Sequence, residues 1–338
     1  MKLLSLSPGW RKFILSLTTV ILVVLLGIIL LSSQTAIPPS SGEVLRVKIA
    51  PGSNVAAIGR QLQDQGASVN SVSLQIVFRT LFIGKKLKAG VYDFPKEATL
   101  YQLIRQMAQG DTVRFQITLI EGWTFKQFRS LIESQKELKV TLKGQSAQRI
   151  LAALGSPHQH PEGLFFPNTY TYEPGETDFS IYTKAYRAME KKLSEAWEKN
   201  QRPVHLKNPY ELLILASIIE KETGSRAERA QISGVFHNRL KIGMMLQTDP
   251  TVIYGLGDQF DGNLRKKDLL RDGPYNTYRR RGLPPTPIAM PGMESLVAAA
   301  QPSATEALYF VADGQGRSVF SRTLAEHEAA VRKYQLKQ

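Results

Sequence analysis

Two carboxylates close the most apolar stretch of this chain outside its N-terminus. Asn208-Pro209-Tyr210-Glu211 is a strong helix start, with Asn as N-cap, Pro in the first turn and Glu placed to reach back. Leu212-Leu213-Ile214-Leu215-Ala216-Ser217-Ile218-Ile219 follows, apolar nearly all round and so expected to be buried, and Glu220-Lys221-Glu222-Thr223 leads to Gly224 as the expected stop. At about 100° per residue, Glu220 shares the face of Leu213, Ala216 and Ser217, while Glu222 projects about 200° further round. The two are expected to have different tasks. A carboxyl held against apolar neighbours is pushed toward its protonated form, and the negative end of the helix dipole acts in the same direction. Such a group suits general acid catalysis of glycosidic cleavage, where the leaving oxygen must be protonated as the bond breaks. Lys221 could offset this by pairing with either Glu, and a solvated Glu-Lys-Glu at a frayed helix end has the same spacing.

Other segments concentrate groups that bind sugars. Gln247-Thr248-Asp249-Pro250 sits at a turn before a short apolar element, and Asp272-Gly273-Pro274-Tyr275-Asn276-Thr277-Tyr278 combines hydrogen-bonding groups with aromatic faces. Pro161-Glu162-Gly163-Leu164-Phe165-Phe166-Pro167 is too rich in Pro and Gly for regular structure and aromatic enough to line a cleft. Gly282-Leu283-Pro284-Pro285-Thr286-Pro287-Ile288 reads as a stiff cleft wall, with a Pro-rich binding epitope as its competitor. His158 and His160 offer two metal ligands without a third at convincing spacing, so no metal and no cofactor is expected. There is no phosphate-binding Gly loop, and the absence of cysteine excludes disulfides, a thiol nucleophile and a lipoprotein anchor.

The elements that must carry these groups are legible in outline. Val44 to Ile49 alternates as a strand, Ser53 or Asn54 can cap a helix to Gly66, Ser71 to Phe82 repeats the helical pattern, and Leu87 to Phe94 reads as a second strand. Thr99 with Gln102 forms a capping box for a helix stopped by Gly110, and Val113 to Ile120 alternates again. Beyond it, Thr124 with Gln127 caps another helix, Leu138 to Gly155 looks helical, and Phe179 to Lys199 gives a long amphipathic one.

Phe13 to Leu31 carries no charge and follows Arg11 and Lys12, which fits a membrane-spanning helix with residues 1–12 in the cytoplasm. A cleaved signal peptide is the alternative, but its apolar core is usually shorter, about 7 to 15 residues. Residues 32–42, with Pro38-Pro39-Ser40-Ser41-Gly42, read as a short stiff tether. The full chain has 43% hydrophobic and 21% charged residues, the composition of an ordinary folded protein. A net charge of +14 calls for an anionic neighbour; on the translocated side that is a lipid surface or a carboxylate-bearing wall glycan, not nucleic acid. Arg265-Lys266-Lys267 and Arg279-Arg280-Arg281 could equally be solvated faces.

Four motifs together, Ala-Ser-Ile-Ile-Glu-Lys-Glu-Thr, Gln-Thr-Asp-Pro-Thr-Val-Ile-Tyr-Gly, Tyr-Asn-Thr-Tyr and Gly-Leu-Pro-Pro-Thr-Pro-Ile, resemble the endolytic murein transglycosylases of the YceG-like (MltG) family over nearly the whole chain. The resemblance implies an α+β protein: an inner-membrane anchor at 13–31, a LysM-like module at 43–120, and a periplasmic catalytic domain at 121–338 that cuts nascent peptidoglycan strands internally, in concert with peptidoglycan synthases. It implies Glu220 as the catalytic acid and then base, producing a 1,6-anhydro-muramic end, with Gln247, Asp249, Asn276, Tyr278 and Glu162 as substrate contacts. Relatives carry a His where this chain has Ser318, though Glu326-His327 still matches. A lysozyme-type hydrolase and a non-enzymatic wall-binding scaffold are the two alternatives.

Overall fold

The computed structural model describes residues 7–39, 42–199 and 205–336. It divides into two compact units, Met1–Phe115 and Gln116–Gln338. Both mix helices with short strands, and the named strands form three two-stranded sheets.

The first unit opens with α1 (Pro8–Ser32), a 25-residue helix, none of it buried, that is long and apolar enough to cross a membrane. At about 1.5 Å per residue it exceeds a hydrocarbon core of about 30 Å. The segment read as a tether is different over residues 34–37. The Leu100 amide donates to the Gln34 carbonyl at 2.9 Å and the Ala36 amide to the Ala98 carbonyl at 2.8 Å, while Ser68 donates to Ala36 at 2.7 Å. Ala36 and Ile37 are fully buried. Two apolar side chains with an extended backbone gain more by joining the core as an added edge than by staying in water. Ser33 alone separates α1 from this hydrogen-bonded segment.

β1 (Val44–Ile49), α2 (Val55–Asp64), α3 (Ser71–Leu81) and β2 (Gly90–Pro95) follow in the order expected, and β1 pairs antiparallel with β2 from Val44↔Pro95 to Ile49↔Gly90. Asn54 and Asn70 cap the two helices through their side chains. α4 (Leu100–Gln109) has the Thr99 and Gln102 capping box and ends at Gly110, whose φ of 74° suits glycine. Val47, Leu62, Leu74, Phe94 and Leu103 meet in the core.

The division between the two units falls after Phe115, and β3 (Phe115–Thr118) pairs with β4 (Thr169–Tyr172). α5 (Phe125–Glu133) has its capping box, but of the helix expected over 138–155 only α6 (Ala147–Leu154) forms. Asp178 takes the Thr141 and Leu142 amides at 3.0 and 2.9 Å, which holds that stretch in a turn. α7 (Asp178–Glu198) and α8 (Pro209–Glu222) come next, and every residue of α8 from Leu212 to Ile219 is buried. The stop is Thr223 in extended conformation, φ −145°, not Gly224. α9 (Arg226–Lys241), α10 (Asp249–Leu256), α11 (Lys266–Leu270) and α12 (Met293–Ala300) follow, with α9, α10 and α12 packed on α8, and then come the antiparallel pair β5 (Tyr309–Ala312) and β6 (Ser318–Ser321) and α13 (Leu324–Tyr334).

The Pro-rich segment is fixed to this helix. Ser217, the polar residue inside the buried stretch, accepts from the Ile288 amide at 3.0 Å, and Met290 donates to Trp123 at 2.8 Å. The aromatic loop is core, not a free cleft rim: Leu164 and Phe165 are buried, Phe165 stacks on Phe125 at 5.4 Å, and Gly163 (φ +80°) lies so close to Pro287 that a Cβ would fall 2.5 Å from it.

Candidate active site

Where α8 ends, its two glutamates part as the helical wheel requires, and a cavity opens on the side of the second. Glu222, Arg239, Gln247, Asp249, Tyr278 and His327 are among the residues lining a space of about 520 Å³. Thr248 Oγ1 donates to Glu222 Oε1 in a close contact. The two sugar-binding motifs are joined here: the Gln247 amide donates to the Thr277 carbonyl at 3.1 Å, the Thr248 amide to Thr277 Oγ1 at 3.1 Å, and Tyr278 Oη to Asp249 Oδ1 at 2.6 Å. Gln247 is held at φ 49°, the left-handed region that L-residues enter at a cost.

Burial raises the Glu222 pKa above the ordinary carboxylate value; Thr248 opposes the shift, Asp249 adds to it and Arg239 counters it. Arg239 is itself buried in α9 and spends its guanidinium on the Leu308 and Leu246 carbonyls at 2.6 and 2.7 Å, beneath the Tyr309 ring at 5.3 Å. Tyr309 stacks on His327 with ring centroids 5.2 Å apart. Burial depresses the His327 pKa, so the ring is neutral near pH 7, and its Nδ1 is buried with no hydrogen-bond partner. Ser318 also lines the cavity and donates its hydroxyl to Glu228 at 2.9 Å.

Glu220 occupies other surroundings. Its Oε2 accepts from the Gly292 amide at 2.9 Å and its Oε1 faces Arg229 Nη2 at 3.4 Å, while Arg229 also holds Glu294 in a close ion pair. Glu121 lies alongside, its pKa raised by partial desolvation and then by the charge of Glu220. The expectation of apolar neighbours around Glu220 is therefore corrected: an arginine and a backbone amide meet it. Lys221 pairs with neither glutamate and donates to the Gly122 carbonyl at 3.3 Å.

Gln247, Asp249 and Tyr278 thus stand together at the cavity, and two further expected contacts do not. Asn276 is buried and donates its amide to the carbonyls of Asp268, Leu269 and Arg271, at 3.3, 3.0 and 2.6 Å, which locks a turn. Glu162 accepts from the Phe125 amide at 2.8 Å and from Tyr254 Oη at 3.0 Å, at the start of α5, and burial pushes its pKa up to about 7. His158 stacks on Tyr210 at 4.4 Å. Sequence reasoning left the task of Glu222 open and did not single out Arg239 or Tyr309. A signal existed for Glu222 in the wheel argument, which separates it from Glu220 without saying which side is hollow.

A model of the YceG-like family matches residues 47–333. A Bacillus subtilis protein named endolytic murein transglycosylase is 35% identical over 316 residues, covering 87% of this chain and 86% of that protein. A Streptococcus pneumoniae protein of the same name is 28% identical across 89% of this chain, which spans 60% of that longer relative. A crystal structure of a YceG-like protein from Listeria monocytogenes matches with a TM-score of 0.54 and 31% identity, over 85% of this chain and 99% of that one.

Proposed function

Since the chain belongs to the YceG-like family, we propose that it is a peptidoglycan lytic transglycosylase that cuts glycan strands internally, with Glu222 as the acid and then the base. One observation carries the assignment to Glu222: a carboxyl whose burial favours its protonated form opens on the same cavity as Gln247, Asp249 and Tyr278. Glu220, bound to Arg229 and the Gly292 amide, ties the end of α8 to α9 and to the start of α12.

In the reaction, the Glu222 proton passes to the oxygen bridging N-acetylmuramic acid and N-acetylglucosamine, and the C1–O bond breaks. The resulting carboxylate takes the proton of the muramic C6 hydroxyl, whose oxygen bonds to C1 and closes a 1,6-anhydro ring. Glu222 ends protonated, water is not consumed, and one carboxyl serves both steps, unlike the two needed in most glycosidases. Asp249 spends one oxygen on Tyr278 and helps keep Glu222 protonated through its charge. Tyr309 and His327, stacked on each other, give the cavity an aromatic lining of the kind sugars contact.

The β1–α2–α3–β2 module is read as LysM-like, a glycan holder, on the strength of its element order and its antiparallel pair. α1 is read as an inner-membrane anchor with Arg11 and Lys12 at its cytoplasmic end and the rest of the chain in the periplasm, where peptidoglycan synthases would be its neighbours.

The test compares Glu222→Gln and Glu220→Gln full-length protein on nascent glycan strands, with product ends identified by mass spectrometry. Cleavage to anhydro ends is expected to vanish in the first and persist in the second. Loss only in the second would return the role to Glu220, and reducing muramic ends from the parent protein would mean a hydrolase.

A further inference from the structure

The first unit contains a helix face that, among its described residues, its own core does not cover. On α3, Leu74 and Val77 point into the core, and Val72, Ile76 and Arg79 share the opposite face at helical spacing. Val72 is 62% and Ile76 40% exposed, and Ile83, just past the helix end, is 80% exposed. Gly84-Lys85-Lys86 follows at once, with both lysines exposed. Among the described residues, Arg79, Lys85 and Lys86 have no ion-pair partner. An apolar strip edged by free cations is the pattern of a helix lying in the headgroup layer of an anionic bilayer.

The location of α3 supplies the second argument. α1 packs against α3 and α4, and Leu31 at the end of α1 rests on the module core. With Ser33 alone between α1 and the hydrogen-bonded Gln34, the module has no slack with which to leave the surface from which α1 emerges. α3 therefore sits beside the end of the helix from which the module emerges.

We infer that the outer face of α3, with Ile83, Lys85 and Lys86, docks on the bilayer that α1 spans, so that the module is a membrane-bound platform. This rests on the reading of α1 as a membrane anchor, and the experiment separates the two. The chain has no cysteine, so single-cysteine variants I76C, I83C, D64C and L22C of the full-length protein can each carry a polarity-sensitive fluorophore in nanodiscs containing phosphatidylglycerol. Nitroxide lipids quench probes that touch them. The probe at residue 22 should be quenched by nitroxides deep in the bilayer, and those at 76 and 83 should lose about half or more of their emission to nitroxides at headgroup depth. The probe at Asp64, on α2, should instead be quenched by aqueous iodide. Replacing Lys85 and Lys86 by Glu should reduce lipid quenching at 76 and 83 and leave that at 22 unchanged. If 22 is quenched while 76 and 83 respond to iodide as 64 does, the docking inference fails and the anchor stands. Blue-shifted probes at 76 and 83 that neither quencher reaches would mean a protein covers this face, which also overturns it. An unquenched probe at 22 overturns both.

Discussion

Thr248 donates its hydroxyl to Glu222 Oε1, so the end of α8 is tied to the residue that opens α10. The bond favours the carboxylate, and burial, the larger influence, favours the acid. Thr248→Val keeps the shape and removes the donor, leaving burial less opposed. An acid works below its pKa and is lost as pH rises through it, so the alkaline limb of kcat should move to higher pH. A kcat–pH profile on glycan strands reads this; an unmoved or lowered limb would show that Thr248 does not tune Glu222.

Exchange of either glutamate for glutamine separates chemistry from architecture. Glu222→Gln should lower kcat about a hundredfold or more, with the melting temperature held or raised because a buried titratable group is gone. Glu220→Gln leaves Arg229, whose Nε is already buried without a partner, with Glu294 as its remaining ion pair, and should cost about 1–3 kcal/mol of stability. Thermal melts and single-turnover rates on the same samples make the comparison.

Gln247 offers a test of side chain against backbone. Its φ of 49° is native to glycine, so Gln247→Gly relieves strain of about 1 kcal/mol while giving back a similar amount in chain entropy. Stability should stay within about 1 kcal/mol of the parent. If the amide contacts the strand, kcat/KM should fall about tenfold, as for a lost hydrogen bond of about 1 kcal/mol or more.

Glu162 makes stability depend on pH. Its pKa is raised from 4.5 to about 7, so its contribution is fully present below the unfolded value and is lost as pH rises through about 7. Urea midpoints taken across that window should fall by an amount equivalent to about 3 kcal/mol at most. Glu162→Gln keeps an acceptor for the Phe125 amide and should flatten the slope.

Asn276 is expected to act on folding. Asn276→Ala leaves three carbonyls without their donor and should lower stability by about 2 kcal/mol with little change in KM.

Local signals read well from this sequence because their partners are a few residues away. The capping boxes at Thr99 and Thr124, the Asn208 cap and the strand-helix-helix-strand order of the first unit all depend on neighbours in the chain. The site was legible as a set of motifs and not as a geometry. Spacing put Glu220 and Glu222 on different faces of α8, but the hollow side is decided by Gly292, Arg229 and Thr248, which local periodicity cannot locate. Asn276 illustrates the same limit, since a polar residue in a turn looks alike whether its amide faces substrate or carbonyls. Residues 34–37 are too few to show a strand period, so their place in the core was invisible.

The walls of the Glu222 cavity come from widely separated parts of the chain, with Tyr309 following Glu222 by about a quarter of the protein's length and His327 by nearly a third. A polypeptide threaded across a membrane from its N-terminal side delivers the anchor and module first, the acid next, and those two rings much later. Until they arrive, the acid has one side open to water and no assembled groove. On the topology and the acid proposed above, the order of export would act as a safety catch: strand cutting would begin only after the chain had been almost wholly delivered, when α1 already limited its reach.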